Sequence, residues 1–143
     1  MTQIDFYTQV EDKLQTACKL TAKARSLGLR VTLFCPDRDT ASRLDRMLWS
    51  APATGFMPHC RLDDPLAPVT PVLIDTAGDN PLHDEVLINL HSEWPACFSR
   101  FQRLAEIVST EDHDRGEARA RYKFYRDRGY EIRTHDLSAQ RAG

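Results

Sequence analysis

Residues 29–37 read "LRVTLFCPD". The run is apolar with little alternation, as in a strand whose two faces are both covered. Pro36 and Asp37 close it, and Asp37 stands where a helix N-cap belongs. Beyond it Ala41, Leu44 and Leu48 recur at helical spacing. Upstream, Gly28 sits at a helix C-terminus, and Val10, Leu14, Ala17, Thr21 and Ala24 mark the apolar stripe of the helix it ends. Before that helix, "IDFYTQV" (4–10) alternates and carries β-formers. Strand, helix, strand, helix is the unit that builds a parallel sheet with right-handed crossovers.

The rest of the chain fits that frame. Residues 50–71 hold Pro52, Pro58, Pro65, Pro68 and Pro71 and read as loops, with room for a short edge strand within "GFMPHCRL" (55–62). "PVLIDTA" (71–77) and "EVLINLH" (85–91) read as strands, separated by the turn residues "GDNP" (78–81). A short helix is expected over "PACFSRFQRL" (95–104), with Pro95 near its start. "AEIVST" (105–110) reads as a strand, 112–128 as a helix ended by Gly129, and "YEIRTH" (130–135) as a last strand. The expected architecture is a three-layer α/β fold with a mostly parallel sheet flanked by helices. Residues 1–136 form its single domain and 137–143 a frayed tail.

Open α/β sheets hold nucleotides at the strand ends. Here the first strand–helix turn, "TQVEDK", has no glycine, and no phosphate-binding loop motif occurs anywhere. The expected topology is nucleotide-binding-like but without a phosphate loop. A nucleophile elbow and a zinc-protease motif are also absent. Cys18, Cys35, Cys60 and Cys97 make no C-x-x-C pair and read as reduced thiols. His59, His83, His91, His113 and His135 lack ligand spacing. His59–Cys60 is the nearest approach to a reactive pair, and adjacent side chains diverge. No metal, cofactor or catalytic constellation is expected. A net charge of −2 over 143 residues rules out a polycation that coats DNA. No apolar run spans a bilayer and no signal peptide is seen, so the expected compartment is the cytoplasm.

Two segments stand out. "RYKFYRDRGY" (121–130) interleaves four cations with aromatics. On a helix, Arg115, Arg119, Lys123 and Arg126 share one stripe bordered by Tyr122, with Ala118 and Tyr125 on the next face. Residues 115–133 carry seven cations against three anions, so charge is segregated. A solvated helix face explains the pattern. So does a clamp for an acidic peptide or a free carboxylate, or a surface for single-stranded DNA. The second segment is "MLWSAPATGFMPH" (47–59). Trp49 turns away from the buried stripe, and Pro52, Phe56, Met57 and Pro58 follow it. Either the loop buries these side chains on itself, or they form an apolar patch for a permanent partner.

Taken together, "IDFYTQ", "LRVTLFC", "ASRLDRMLWSAPATGFMPH", "VLINL" and "ARARYKFYRDRGYEI" resemble, in the same order, the chi subunit family of the bacterial DNA polymerase III holoenzyme. The resemblance covers nearly the whole chain. It implies a non-catalytic accessory subunit in the cytoplasmic replisome. Such a subunit binds the psi subunit, or another clamp-loader component, and the acidic, phenylalanine-ended tail of single-stranded-DNA-binding protein, so that DNA is contacted mainly indirectly. Carried across, the tail site comprises Val108, Arg115, Arg119, Tyr122 and Lys123, and the psi-facing surface comprises Trp49, Pro52 and Phe56. The resemblance also implies a repair helicase as an alternative occupant in some members. A direct single-stranded-DNA binder and a small α/β nucleotide-binding enzyme are the rival readings.

Overall fold

The computed structural model of the chain describes residues 1–50 and 57–138. Of the sequence-based expectations, those on Pro52, Phe56 and the tail from 139 onward lie outside the described residues. The elements are β1 (Gln3–Val10), α1 (Lys13–Ser26), β2 (Val31–Phe34), α2 (Arg38–Ser50) and β3 (His59–Arg61). They continue with β4 (Val72–Asp75), β5 (Val86–Asn89), β6 (Arg103–Ser109), α3 (Asp112–Asp127) and β7 (Ile132–Asp136). The strands form one sheet in the order β3-β4-β2-β5-β6-β1-β7. Every pairing in it is parallel.

The "LRVTLFC" stretch becomes β2, near the sheet centre, with all four strand residues buried. Its side chains alternate between two cores. On one face, α1 and α2 pack Leu14, Ala17, Leu44 and Leu48 against Val31, Leu33, Ile74, Ile88 and Ile107. On the other, α3 and the segment before β6 pack Ala118, Tyr125, Phe98 and Phe101 against Ile4, Phe6, Leu87 and Leu104. Asp37 caps α2, accepting a hydrogen bond from the Thr40 amide at 2.7 Å.

The expected short helix over 95–104 is not formed. One 3-10 turn, Phe98–Arg100, stands in its place, and β6 already begins at Arg103. A 3-10 turn sets residues three apart on one side. Phe98 and Phe101 are both buried that way. At the other end, Leu137 packs partly buried on the core and donates its amide to the Thr8 carbonyl at 3.0 Å.

β1 and β6 are neighbours whose chains leave in opposite directions. From β1 the chain returns through α1 to β2, three places away, and from β6 it crosses through α3 to β7. The helices therefore lie on opposite faces and part at the carboxyl ends of β1 and β6. That is the crevice where open α/β sheets place their ligands.

Candidate peptide-docking site

The site is built on α3. Ala118, Arg121 and Tyr125 form its buried stripe. Arg121, one of the four cations of the "RYKFYRDRGY" segment, is only 1% exposed. Beneath it lies Glu106 of β6, fully buried. Arg121 Nε donates to Glu106 Oε1 at 3.0 Å, and the Tyr125 hydroxyl donates to Oε2 at 2.6 Å. Asn89 Nδ2 donates to both oxygens, at 3.0 and 3.1 Å. Arg121 Nη1 also donates to the Ser92 carbonyl at 2.8 Å. Burial pushes the Glu106 carboxyl above its ordinary range, and Arg121, Tyr125 and Asn89 oppose that push. This network fixes the rotation of α3 over the sheet, and so decides which of its residues face the crevice.

Four of the five expected tail-site residues meet there. Arg115, Ala118, Arg119 and Tyr122 of α3, Phe6, Thr8 and Gln9 of β1, Val108 and Ser109 of β6, and Thr134 of β7 enclose a cleft of about 290 Å³. Val108 is buried in its floor. Tyr122 stands edge-on to Phe6, with ring centroids 5.4 Å apart. Arg119 is exposed and, among the described residues, makes no ion pair or hydrogen bond. Arg115 has only a 3.7 Å approach to Asp112. The fifth residue, Lys123, lies outside the lining and pairs with Asp127 along the helix at 3.1 Å. An apolar floor beside an uncommitted guanidinium suits an apolar side chain attached to a carboxylate. The volume sits at the lower end of small-molecule clefts, ~300–1,000 Å³, with room for an aromatic side chain.

Thr8, Gln9 and Thr134 are lining residues that sequence reasoning missed. The two threonines share strand faces with Phe6 and Ile132, so alternation was a usable signal. Gln9 had none. The β1–β6 register runs Tyr7↔Ile107 and then Val10↔Ser109, so Thr8 and Gln9 together oppose Val108. Gln9 takes φ +60° at this bulge, a conformation that sequence patterns lead one to expect of glycine, asparagine or aspartate.

The other side of the crevice is acidic. Glu11, Asp12, Glu111, Asp114 and Glu117 gather there around Lys13, Arg43 and His113. Asp12 caps α1 through the Gln15 amide at 3.1 Å. Asp114 accepts from the Ser109 amide at 2.7 Å and from Lys13 Nζ at 3.1 Å. Where a nucleotide-binding fold would offer free amides to phosphate, carboxylates stand and take the amides themselves.

Trp49, at the end of α2, is 57% exposed, and its ring centroid lies 4.4 Å from that of His59. Met57, expected in the same apolar patch, is instead buried in the core. Burial pushes the Cys18 thiol up to about 11 and the Cys35 thiol up to about 12, far from nucleophilic thiolates. Among the described residues no group of three or more His, Cys, Asp or Glu side chains is placed to hold a metal ion, and no helix is long and apolar enough to cross a membrane.

Comparison with known proteins places this architecture. A family model described as "DNA polymerase III chi subunit, HolC" matches residues 1–133. The chain is 39% identical over 142 residues to the DNA polymerase III subunit chi of Pseudomonas aeruginosa, covering 96% of this chain and 98% of that protein. It is 31% identical over 134 residues to the subunit of the same name from Escherichia coli, covering 93% and 89%. With the one from Haemophilus influenzae it shares 29% over 124 residues, covering 86% of each. On this match over nearly its full length, the chain belongs to the DNA polymerase III chi subunit family.

Proposed function

We propose that this protein is a bridging subunit of the replicase: one surface holds a clamp-loader component, of the psi kind, and the cleft on α3 holds the acidic C-terminal tail of single-stranded-DNA-binding protein. The observation that carries the reading is the unpaired Arg119 at the rim of an apolar cleft. Val108, Phe6 and Tyr122 take the terminal aromatic ring, Arg119 and Arg115 take the carboxylate, and Lys123, one turn along α3, faces the tail's aspartates. The Trp49 end of α2 is the surface for the clamp-loader partner, with Pro52 and Phe56, which follow in the sequence, as its further contacts. A repair helicase with a similar terminus would compete for the cleft. Each tail contact is weak, and many tails on coated DNA raise the effective concentration until the link is strong.

Direct binding of single-stranded DNA draws less support. Arg121 is internal, and Lys123 and Arg126 both lie against Asp127. That leaves a short stretch of free positive charge for a phosphate backbone.

The test is fluorescence anisotropy of a labelled acidic peptide ending in phenylalanine, with the same peptide amidated at its C-terminus as control. Micromolar binding that is lost on amidation and weakened by salt is expected. Equal binding of both peptides, or of neither, would remove the carboxylate clamp.

A further inference from the structure

The cleft contains one feature that a carboxylate clamp alone does not use. Gln9 is the sole non-glycine with positive φ among the described residues, and it sits in the wall facing α3. A side chain in that conformation strains its own backbone, and such strain persists where the surroundings hold it for a purpose. The bulge at Thr8–Gln9 supplies the hold. β7 pairs with Thr8 on one side, Val10 resumes pairing with Ser109 on the other, and Gln9 is left between them.

Its side chain is half-buried and, among the described residues, the carboxamide makes no hydrogen bond. With no such partner, its two donors and its acceptor remain available to whatever enters the cleft. Gln9 is also the one carboxamide in the lining, which otherwise offers cations, hydroxyls and apolar groups. The complement of a carboxamide is another amide: one carbonyl and one N–H side by side.

We infer that Gln9 reads the main chain of the docked peptide. Its carboxamide pairs with the last peptide group of an extended acidic C-terminus, while Arg115 and Arg119 take the terminal carboxylate. The inference rests on the docking reading above and adds a contact that is neutral and insensitive to salt. It gives the cleft a way to prefer a peptide terminus over any other apolar carboxylate.

The test compares two labelled acidic peptides ending in phenylalanine, one with a normal final amide and one with an ester in its place, against the wild-type protein and Gln9→Gly. Glycine adopts the same φ freely, so this variant keeps the bulge and removes only the carboxamide; a thermal melt checks that it folds. Wild type is expected to bind the amide peptide roughly tenfold more tightly than the ester. Gln9→Gly is expected to bind both at the weaker level, with the salt dependence of wild type. If Gln9→Gly still distinguishes amide from ester as wild type does, the inference is overturned while the carboxylate clamp stands. If wild type binds neither peptide, the docking reading fails first and this one with it.

Discussion

Glu106 is a carboxylate surrounded only by donors: a guanidinium, a phenol and an amide. Burial drives the Tyr125 phenol far above its ordinary value, and the adjacent Glu106 drives it further, so it remains a proton donor at any pH the fold survives. Exchanging Glu106 for glutamine turns an acceptor oxygen into a donor and leaves Arg121 charged with no counterion. The expected cost is about 3–5 kcal/mol, the usual penalty for removing one partner of a buried pair. Urea unfolding measures it. Replacing both partners by apolar residues, Glu106→Leu with Arg121→Met, is expected to recover only part of that loss, because the buried Tyr125 hydroxyl and Asn89 amide lose their acceptor. A single variant as stable as wild type would show that the pair contributes nothing.

At the scale of the element, α3 carries the binding argument. Arg119 is free and Lys123 is already engaged by Asp127. Arg119→Ala is therefore expected to weaken peptide binding about tenfold, ~1.4 kcal/mol, and to flatten its salt dependence. Lys123→Ala is expected to cost only about twofold to threefold, because its helix pair must be given up before it can bind. Calorimetric titration of both variants checks the order, and a larger loss at Lys123 would reverse the assignment. Much of α3 was legible in the sequence. Helical spacing put Ala118 and Tyr125 inward and Arg115 and Arg119 on a common stripe. The burial of Arg121 was not legible, because its cause, Glu106, lies fifteen residues back in another element. The Gln9 bulge left no trace because no glycine or asparagine marks it, and the 3-10 turn at Phe98 hid behind a plausible helix start at Pro95. The parallel core was plain, since β2, β4 and β5 are each apolar runs covered on both faces.

Across the whole molecule, the Lys13–Asp114 pair joins the start of α1 on one face to the start of α3 on the other. Burial would raise the Asp114 carboxyl, but the Ser109 amide and the Lys13 ammonium overcome it and hold it below the ordinary 3.8. The folded state then binds its proton less readily than the unfolded chain. The stability this lends is complete above the unfolded value and is lost as pH falls through the folded one. Asp114→Asn is expected to be less stable at neutral pH and to lose less on acidification from about pH 5 to about pH 2. Thermal melts across that range test it, and parallel curves for variant and wild type would rule out the linkage.

The order of the strands has one more consequence. Trp49 lies against His59, the first residue of the outermost strand β3, while the cleft opens at the far ends of β6, β1 and β7, on the opposite margin. Four to six strand spacings of about 4.8 Å, and about five residues of strand at ~3.3 Å each, separate them, roughly 30 Å on the diagonal. A flexible linker of that reach would leave its two cargoes tumbling through a wide range of distances and angles. A closely hydrogen-bonded sheet behaves as a strut, and whatever is gripped at one corner is presented to the other at one separation and one orientation.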